Sequence, residues 1–245
     1  MHFHSTSIFC VLFLFISSAH ALDNKKIPSY STELKAFMEE RTKAKDPFSA
    51  EDRAIMAQAG ESLARDMPKP GLAAGQKAPA FILQDAVGKK VNLYEELKQG
   101  PVILVFYRGA WCPYCNLHLH TLHKSQDAFK QYNAQMIAIT PQLPDKSAEQ
   151  INKDGFPFKV LSDLDSKVMK AYKLYFELND ELIGIYKKHG LDIEAYNGQG
   201  RNVLPVPGTF VIDQNGIIRA SYADTDYTKR VEPAEIVQAL QNLKK

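Results

Sequence analysis

Two cysteines stand close together at Cys112-Pro113-Tyr114-Cys115. A two-residue spacer lets both sulfurs meet within one helical turn, so the pair can close a disulfide with little backbone movement. The pair follows the apolar run Val102 to Phe106 after a short stretch ending in Arg108 to Trp111, and it opens a helical pattern. Pro113 suits the first turn of a helix, where its missing N–H is no loss. Sulfurs at a helix start meet unpaired N–H groups and the positive end of the helix dipole, which lowers at least one thiol below its ordinary pKa of ~8.5. The thiolate is the nucleophile, so the arrangement predicts redox chemistry. A purely structural crosslink is the weaker reading, because so small a loop restricts the unfolded chain little.

Metal binding is the other use of paired sulfurs. A tetrahedral zinc site would add two His ligands, and His118, His120 and His123 lie on the same helical pattern. At about 100° per residue His118 and His123 flank Cys115 while His120 points away, so they do not converge. Each is expected to be a solvated or boundary residue, with no metal and no cofactor bound.

Farther along the chain is Val206-Pro207-Gly208-Thr209-Phe210. A cis Val206-Pro207 bond is one device that would bring backbone close to the sulfurs; a simple strand-entry proline is the alternative.

These residues need elements to position them. The continuous apolar run 102–106 marks a central strand covered on both faces, with a helix from about Pro113 to Tyr132 after it and a second core strand at Met136 to Ile139. Phe81 to Leu83 and Lys90 to Leu93 read as a short paired unit. Thr209 to Ile212 and Ile217 to Ala220 are joined by Asn215-Gly216, a strong hairpin signal, and a last helix covers Glu235 to Leu240. Helices alternating with strands predict an α/β sheet covered on both faces. Before this lie two amphipathic helical patterns, from about Thr32 to Lys43 with Leu34, Phe37 and Met38 inward, and from Ser49 to about Arg65 behind a Ser49/Asp52 capping box. Breakers from Pro68 to Pro79 then separate a linker and helical extension (22–70) from a main domain (71–245).

Composition narrows the function classes. With 30 Lys+Arg against 28 Asp+Glu in 245 residues, the net charge of +2 argues against nucleic acid as the partner. Three cysteines exclude a framework of several disulfides. Met1 to Ala21 carries no Lys, Arg, Asp or Glu, and the apolar run Ile8 to Ile16 precedes Ala19-His20-Ala21. This reads as a signal peptide (1–21) cut after Ala21, its apolar run too short for the roughly 20 residues of a membrane span. The expectation is an exported protein, periplasmic or extracellular, with no stable membrane insertion after cleavage. Cys10 would leave with the leader, so Cys112 and Cys115 would be the only thiols of the mature chain.

Phe106-Tyr-Arg-Gly-Ala-Trp-Cys-Pro-Tyr-Cys115, together with Leu204 to Asp213 and Asp226 to Pro233, resembles the peroxiredoxin-like branch of the alkyl hydroperoxide reductase and thiol-specific antioxidant family. The resemblance spans roughly residues 31 to 244. It implies a thioredoxin fold with an N-terminal two-helix extension, a thiol peroxidase activity and recycling by a thioredoxin-like dithiol. Laid over the family pattern Pro-x-x-x-Thr-x-x-Cys, Arg108 falls at the Pro, Cys112 at the Thr and Cys115 at the peroxidatic Cys. An Arg that usually precedes the late strand is replaced by Pro207, as in thioredoxins. On this reading Cys115 attacks peroxide and Cys112 resolves. Arg108 would stabilise the thiolate, Trp111 would cover the site, and Pro207 and Thr209 would support it from the late strand. The thioredoxin comparison instead nominates Cys112 as attacker of a protein disulfide. A metal- or copper-handling module of thioredoxin fold is the third alternative.

Overall fold

The computed structural model describes residues 27–243; the expected leader, with Cys10 and the cleavage point, lies outside them. Helix α1 (Tyr30–Thr42) starts at Ser29, whose hydroxyl accepts from the Thr32 N–H. Helix α2 (Ala50–Asp66) starts with the capping box read from the sequence: Asp52 N–H donates to Ser49 Oγ and Ser49 N–H to the Asp52 carboxylate. Tyr30, Leu34 and Phe37 follow i, i+4, i+7 spacing and form the seam of α1. Met38, one position off that seam, is exposed rather than inward.

The main sheet has seven strands: β1 (Ile82–Asp85), β2 (Lys90–Asn92), β3 (Val102–Phe106), β4 (Gln135–Thr140), β5 (Lys159–Ser162), and then, past a small two-stranded sheet of β6 (Tyr175–Glu177) and β7 (Val203–Pro205), β8 (Gly208–Ile212) and β9 (Ile218–Ala223). Their order is β2-β1-β5-β4-β3-β8-β9. Strands β3, β4 and β5 run parallel, and β8 pairs antiparallel to β3 with Gly208 opposite Phe106. Helices α3 (Leu93–Leu97), α4 (Pro113–Lys124), α5 (Gln126–Lys130), α6 (Pro144–Asp154), α7 (Lys167–Ala171), α8 (Asp180–Lys188), α9 (Glu194–Asn197) and α10 (Pro233–Asn242) complete the chain. No helix among the described residues is long and apolar enough to cross a membrane.

Strand β3 is buried along its whole length, as its unbroken apolar run predicts. Its alternation divides the core. Val102, Leu104 and Phe106 pack with Phe210, Met169 and Tyr172 on one face. Ile103 and Val105 pack with Leu119 and Leu122 of α4 and Ile236, Val237 and Leu240 of α10 on the other. Both cysteines belong to the second layer.

Three local expectations are corrected, and of the two readings of Pro207 the strand-entry proline holds. The helix expected over 113–132 breaks at Ser125, where the hydroxyls of Thr121 and Ser125 donate back to the carbonyls of Leu117 and Thr121 and compete with the helical ladder. The first strand covers 82–85 instead of 81–83 because Gln84 and Asp85 pair with β5. Strand β2 ends at Asn92, whose side chain caps α3 by accepting from Tyr94 N–H. The Val206-Pro207 bond is trans: Val206 N–H donates to Leu174 O, and Pro207, which has no N–H to place, carries the chain from there into β8.

Candidate active site

The end of β3 fixes the loop before the cysteines. Tyr107 N–H donates to Ile139 O, continuing the β3–β4 ladder for one residue. Next, Ala110 N–H donates to Gln142 Oε1 and Asn116 Nδ2 donates to Ala110 O. Gln150 joins this set, donating to Asn116 Oδ1 and accepting from the Tyr107 hydroxyl. A buried amide network thus holds residues 107–111 from below. Gly109 has φ +151°, and a side chain there would come within 2.5 Å of the Trp111 indole nitrogen; only glycine lets Trp111 fold back over the loop.

Cys112 is the N-cap of α4 and Pro113 its first residue, as the spacing predicts, and Cys112 N–H closes a turn onto Gly109 O. Both cysteines are free thiols and almost closed to solvent, each 1% exposed. Their sulfurs lie close to each other. Burial pushes the Cys115 thiol up, but the Cys112 hydrogen bond and the charges of Arg230 and Arg108 outweigh it and bring Cys115 down to about 5. Cys112 is driven the opposite way, by burial and by holding the shared proton beside the Cys115 thiolate.

Two guanidinium groups surround the pair. Arg108 is buried, donates to the Tyr186 hydroxyl at 2.6 Å, and lies between the rings of Trp111 and Tyr227, at 4.9 and 4.5 Å from their centroids. Its Nε is buried without a hydrogen-bond partner among the described residues. Trp111 therefore covers Arg108, tilted against Tyr186. Arg230 comes from the loop between β9 and α10. Its Nη2 lies 3.5 Å from Cys115 Sγ, and its Nη1 donates to the carbonyls of Tyr227 and Lys229. Arg230 was not singled out from the sequence; its only signal was a place inside the Asp226 to Pro233 segment that carries the family resemblance.

Pro207 and Val206 line a groove of about 420 Å³ together with Arg108, Tyr186 and Tyr227. Met56, Leu63 and Met67 from α2 and its end, with Phe176, Leu178 and Leu182, give it a largely apolar lining beside the polar Asp66, Glu177 and Asn179; it reaches the site at Arg108, and neither cysteine lines it. Thr209 is buried in β8 opposite Val105, and it borders a smaller cleft with Pro207 and Arg230.

The three histidines separate. His118 is fully buried instead of solvated: its ring meets Tyr30 edge-on at 5.3 Å, and burial with the nearby Arg230 charge brings it down to about 3. His120 sits beside Asp154 at 3.6 Å, and His123 rests edge-on against Phe156. No group of three or more His, Cys, Asp or Glu that could hold a metal ion occurs among the described residues.

A strand, a thiol pair at a helix start and two guanidinium groups beside it are the parts of a redox site, and comparison with known proteins agrees. The AhpC/TSA family model matches residues 74–221. The chain belongs to this family. A Mycobacterium tuberculosis protein that carries the peroxiredoxin name is 30% identical over 152 residues, covering 62% of this chain and 85% of the relative. A Geobacillus kaustophilus protein named thiol-disulfide oxidoreductase ResA is 25% identical, covering 67% and 77%. Among solved structures, the peroxidoxin BcpB of Mycobacterium tuberculosis superposes with a TM-score of 0.57 at 20% identity, over 71% of this chain and 99% of that one. The mixed sheet flanked by helices is the thioredoxin-type fold expected of the family.

Proposed function

We propose that this chain is a thiol-dependent peroxidase in which Cys115 attacks the peroxide and Cys112 resolves. The observation that carries the reading is the placing of the cations: Arg230 Nη2 lies 3.5 Å from Cys115 Sγ, and its charge together with that of Arg108 favours the thiolate on Cys115 over Cys112. The Cys115 thiolate displaces alkoxide or hydroxide from the O–O bond and becomes a sulfenic acid, and the leaving oxygen takes a proton to become alcohol or water. Cys112 then attacks the sulfenic sulfur, water departs, and a disulfide remains. An external dithiol of thioredoxin type reduces that disulfide and is itself oxidised.

Arg230 supplies the charge that Pro207 removes from the usual family position. Arg108, with a free Nε donor, is suited to the peroxide oxygens. The largely apolar groove lined in part by Arg108 and Pro207 supports an organic hydroperoxide over hydrogen peroxide as the better substrate. The charge-free leader supports export, with the pair working outside the cytoplasm.

A second reading has Cys112 attacking a protein disulfide. Pro207 at the head of β8 and the ResA relative favour it, but the raised thiol of Cys112 disfavours it as first nucleophile. Reduced protein mixed with cumene hydroperoxide or with insulin, each with a thioredoxin-type dithiol, separates the two. The peroxidase reading expects dithiol-dependent consumption of the hydroperoxide; insulin reduction alone would overturn it.

A further inference from the structure

The start of α1 meets the loop before α10 beside Cys115. Tyr30 and Ser31, at the start of α1, each donate a backbone N–H at 2.8 Å to the Glu232 carboxylate, one to each oxygen. The Tyr30 hydroxyl donates to Thr228 O at 2.6 Å, and its ring is buried against His118. An ion pair between Glu33 and Lys124 adds a further tie from α1 to α4. The loop that carries Arg230 is therefore gripped at residues 228 and 232, on either side of the arginine.

The grip has an electrostatic consequence. Glu232 is two residues from Arg230 and is an obvious partner for its guanidinium. A helix N-terminus with its free N–H groups is a good place to hold a carboxylate, and Glu232 is held at two of them: α1 donates to each of its oxygens, and the Glu235 N–H at the start of α10 donates to the same side chain. Arg230 Nη2 is thereby left for the sulfur.

We propose that the first turn of α1 is a positioning clamp, with Tyr30 as its key side chain: it anchors the 228–232 loop, withholds Glu232 from Arg230, and so sets the Arg230 guanidinium on Cys115. Tyr30 touches neither peroxide nor the reacting oxygens and acts through Arg230. The clamp deepens the proposed function, since it assumes that Cys115 is the thiolate in use. The other titratable groups around Cys115 are Cys112, Arg108, Tyr107, Tyr114, Tyr227 and His118, and none of them is bonded to the Tyr30 hydroxyl.

The test reads Cys115 without any peroxide. Iodoacetamide alkylation of the reduced full chain is followed against pH, with Cys115 quantified by peptide mapping, for Tyr30→Phe, Tyr30→Ala and Arg230→Ala, singly and combined. Tyr30→Phe keeps the ring and loses only the loop anchor. It is expected to slow Cys115 alkylation at pH 4, below the Cys115 titration, by about 3- to 10-fold, the equivalent of roughly half to one pKa unit. That effect should vanish in the Arg230→Ala background, because a residue acting through another shows no separate effect once the other is gone. Asp52→Asn, which loosens α2 without touching this loop, should leave the profile in place. The proposal is overturned if Tyr30→Phe restores the wild-type profile that Tyr30→Ala loses, which would make the role packing alone. It is overturned equally if the effect persists without Arg230 or if Asp52→Asn reproduces it. Should Tyr30→Ala fail to fold, Tyr30→Phe with and without Arg230 still decides. A clamp that passes in a protein unreactive to peroxide would leave the clamp standing and the peroxidase reading wrong.

Discussion

Arg230 and Cys115 are 115 residues apart in the chain, yet Nη2 of the arginine donates to Sγ of the cysteine across 3.5 Å. In a buried site a fixed cation beside a sulfur favours the thiolate much more than it would in water. Arg230→Ala is therefore expected to move the Cys115 titration upward from about 5 and to slow peroxide reaction at pH 6 by about 10-fold or more. Much of that loss should be recovered by pH 9, where the thiolate forms without help. Stopped-flow rates against pH check this; a midpoint that stays near 5 in the variant contradicts it.

The same pair links oxidation state to stability. In the folded protein Cys115 titrates at about 5, below the ordinary thiol value of ~8.5 of an unfolded chain. Its contribution is therefore fully present above pH 8.5 and is lost as pH falls through 5. Cys112, raised in the fold, contributes below 8.5 and withdraws above it. The reduced form should gain stability between pH 5 and 8 relative to the oxidised form, which has neither thiol to titrate. Tm values of both forms at the two pH values test this, and a reduced-minus-oxidised difference that does not change with pH would count against it.

Gly60 gives access to the groove. It lies in α2 on the groove wall, and a Cβ built there meets nothing within 4 Å. Gly60→Phe can fill the groove without clashing at its base, and replacing a helix-interior glycine is not expected to weaken the helix. We expect kcat/KM for cumene hydroperoxide to fall by about 10-fold with hydrogen peroxide nearly unchanged, since part of the apolar surface that binds the bulky substrate is lost. Equal effects on both substrates would show that the groove does not receive the organic arm.

Asp52 fastens α2 to α8. Its buried carboxylate accepts from Lys188 at 2.8 Å and lies 3.1 Å from His189 Nε2, and it also closes the Ser49 capping box. The Lys188 hydrogen bond, followed by that from the Ser49 N–H, holds the carboxyl well below the usual carboxylate range. A depressed carboxyl contributes stability above its ordinary value of ~3.9 and loses it as pH falls below that. Asp52→Asn should lower Tm at pH 7 by about 2–6 °C and flatten the acid side of the stability profile. An unchanged Tm across pH 3 to 7 would mean that the clasp contributes nothing.

Much of this was legible in local sequence. The apolar run 102–106 announced the buried central strand, Cys112 to Cys115 announced the thiol pair at a helix start, and Ser49/Asp52 and Asn215-Gly216 announced a cap and a hairpin. Each signal lies within a few residues of the feature it specifies. What escaped depends on distant chain. Arg230 matters because of Cys115, Tyr30 because of Thr228 and Glu232, and Gln142 and Gln150 because they bond residues 107–116. His118 looked like a surface residue because only the docking of α1 and the 228–232 loop buries it. The break at Ser125 turned on hydroxyls bonding back to their own helix, which a hydrophobic period does not register.

The central claim, that Cys115 attacks and Cys112 resolves, is tested most directly by trapping the first oxidised sulfur. Reduced wild type, Cys112→Ser and Cys115→Ser are each mixed with one equivalent of hydroperoxide and a dimedone probe, and the labelled residue is identified by mass spectrometry. Rapid sulfenate is expected on Cys115 and should persist in Cys112→Ser, with a disulfide and little label in wild type and no rapid reaction in Cys115→Ser. Rapid label on Cys112 in Cys115→Ser, with Cys115 unreactive in Cys112→Ser, would contradict it.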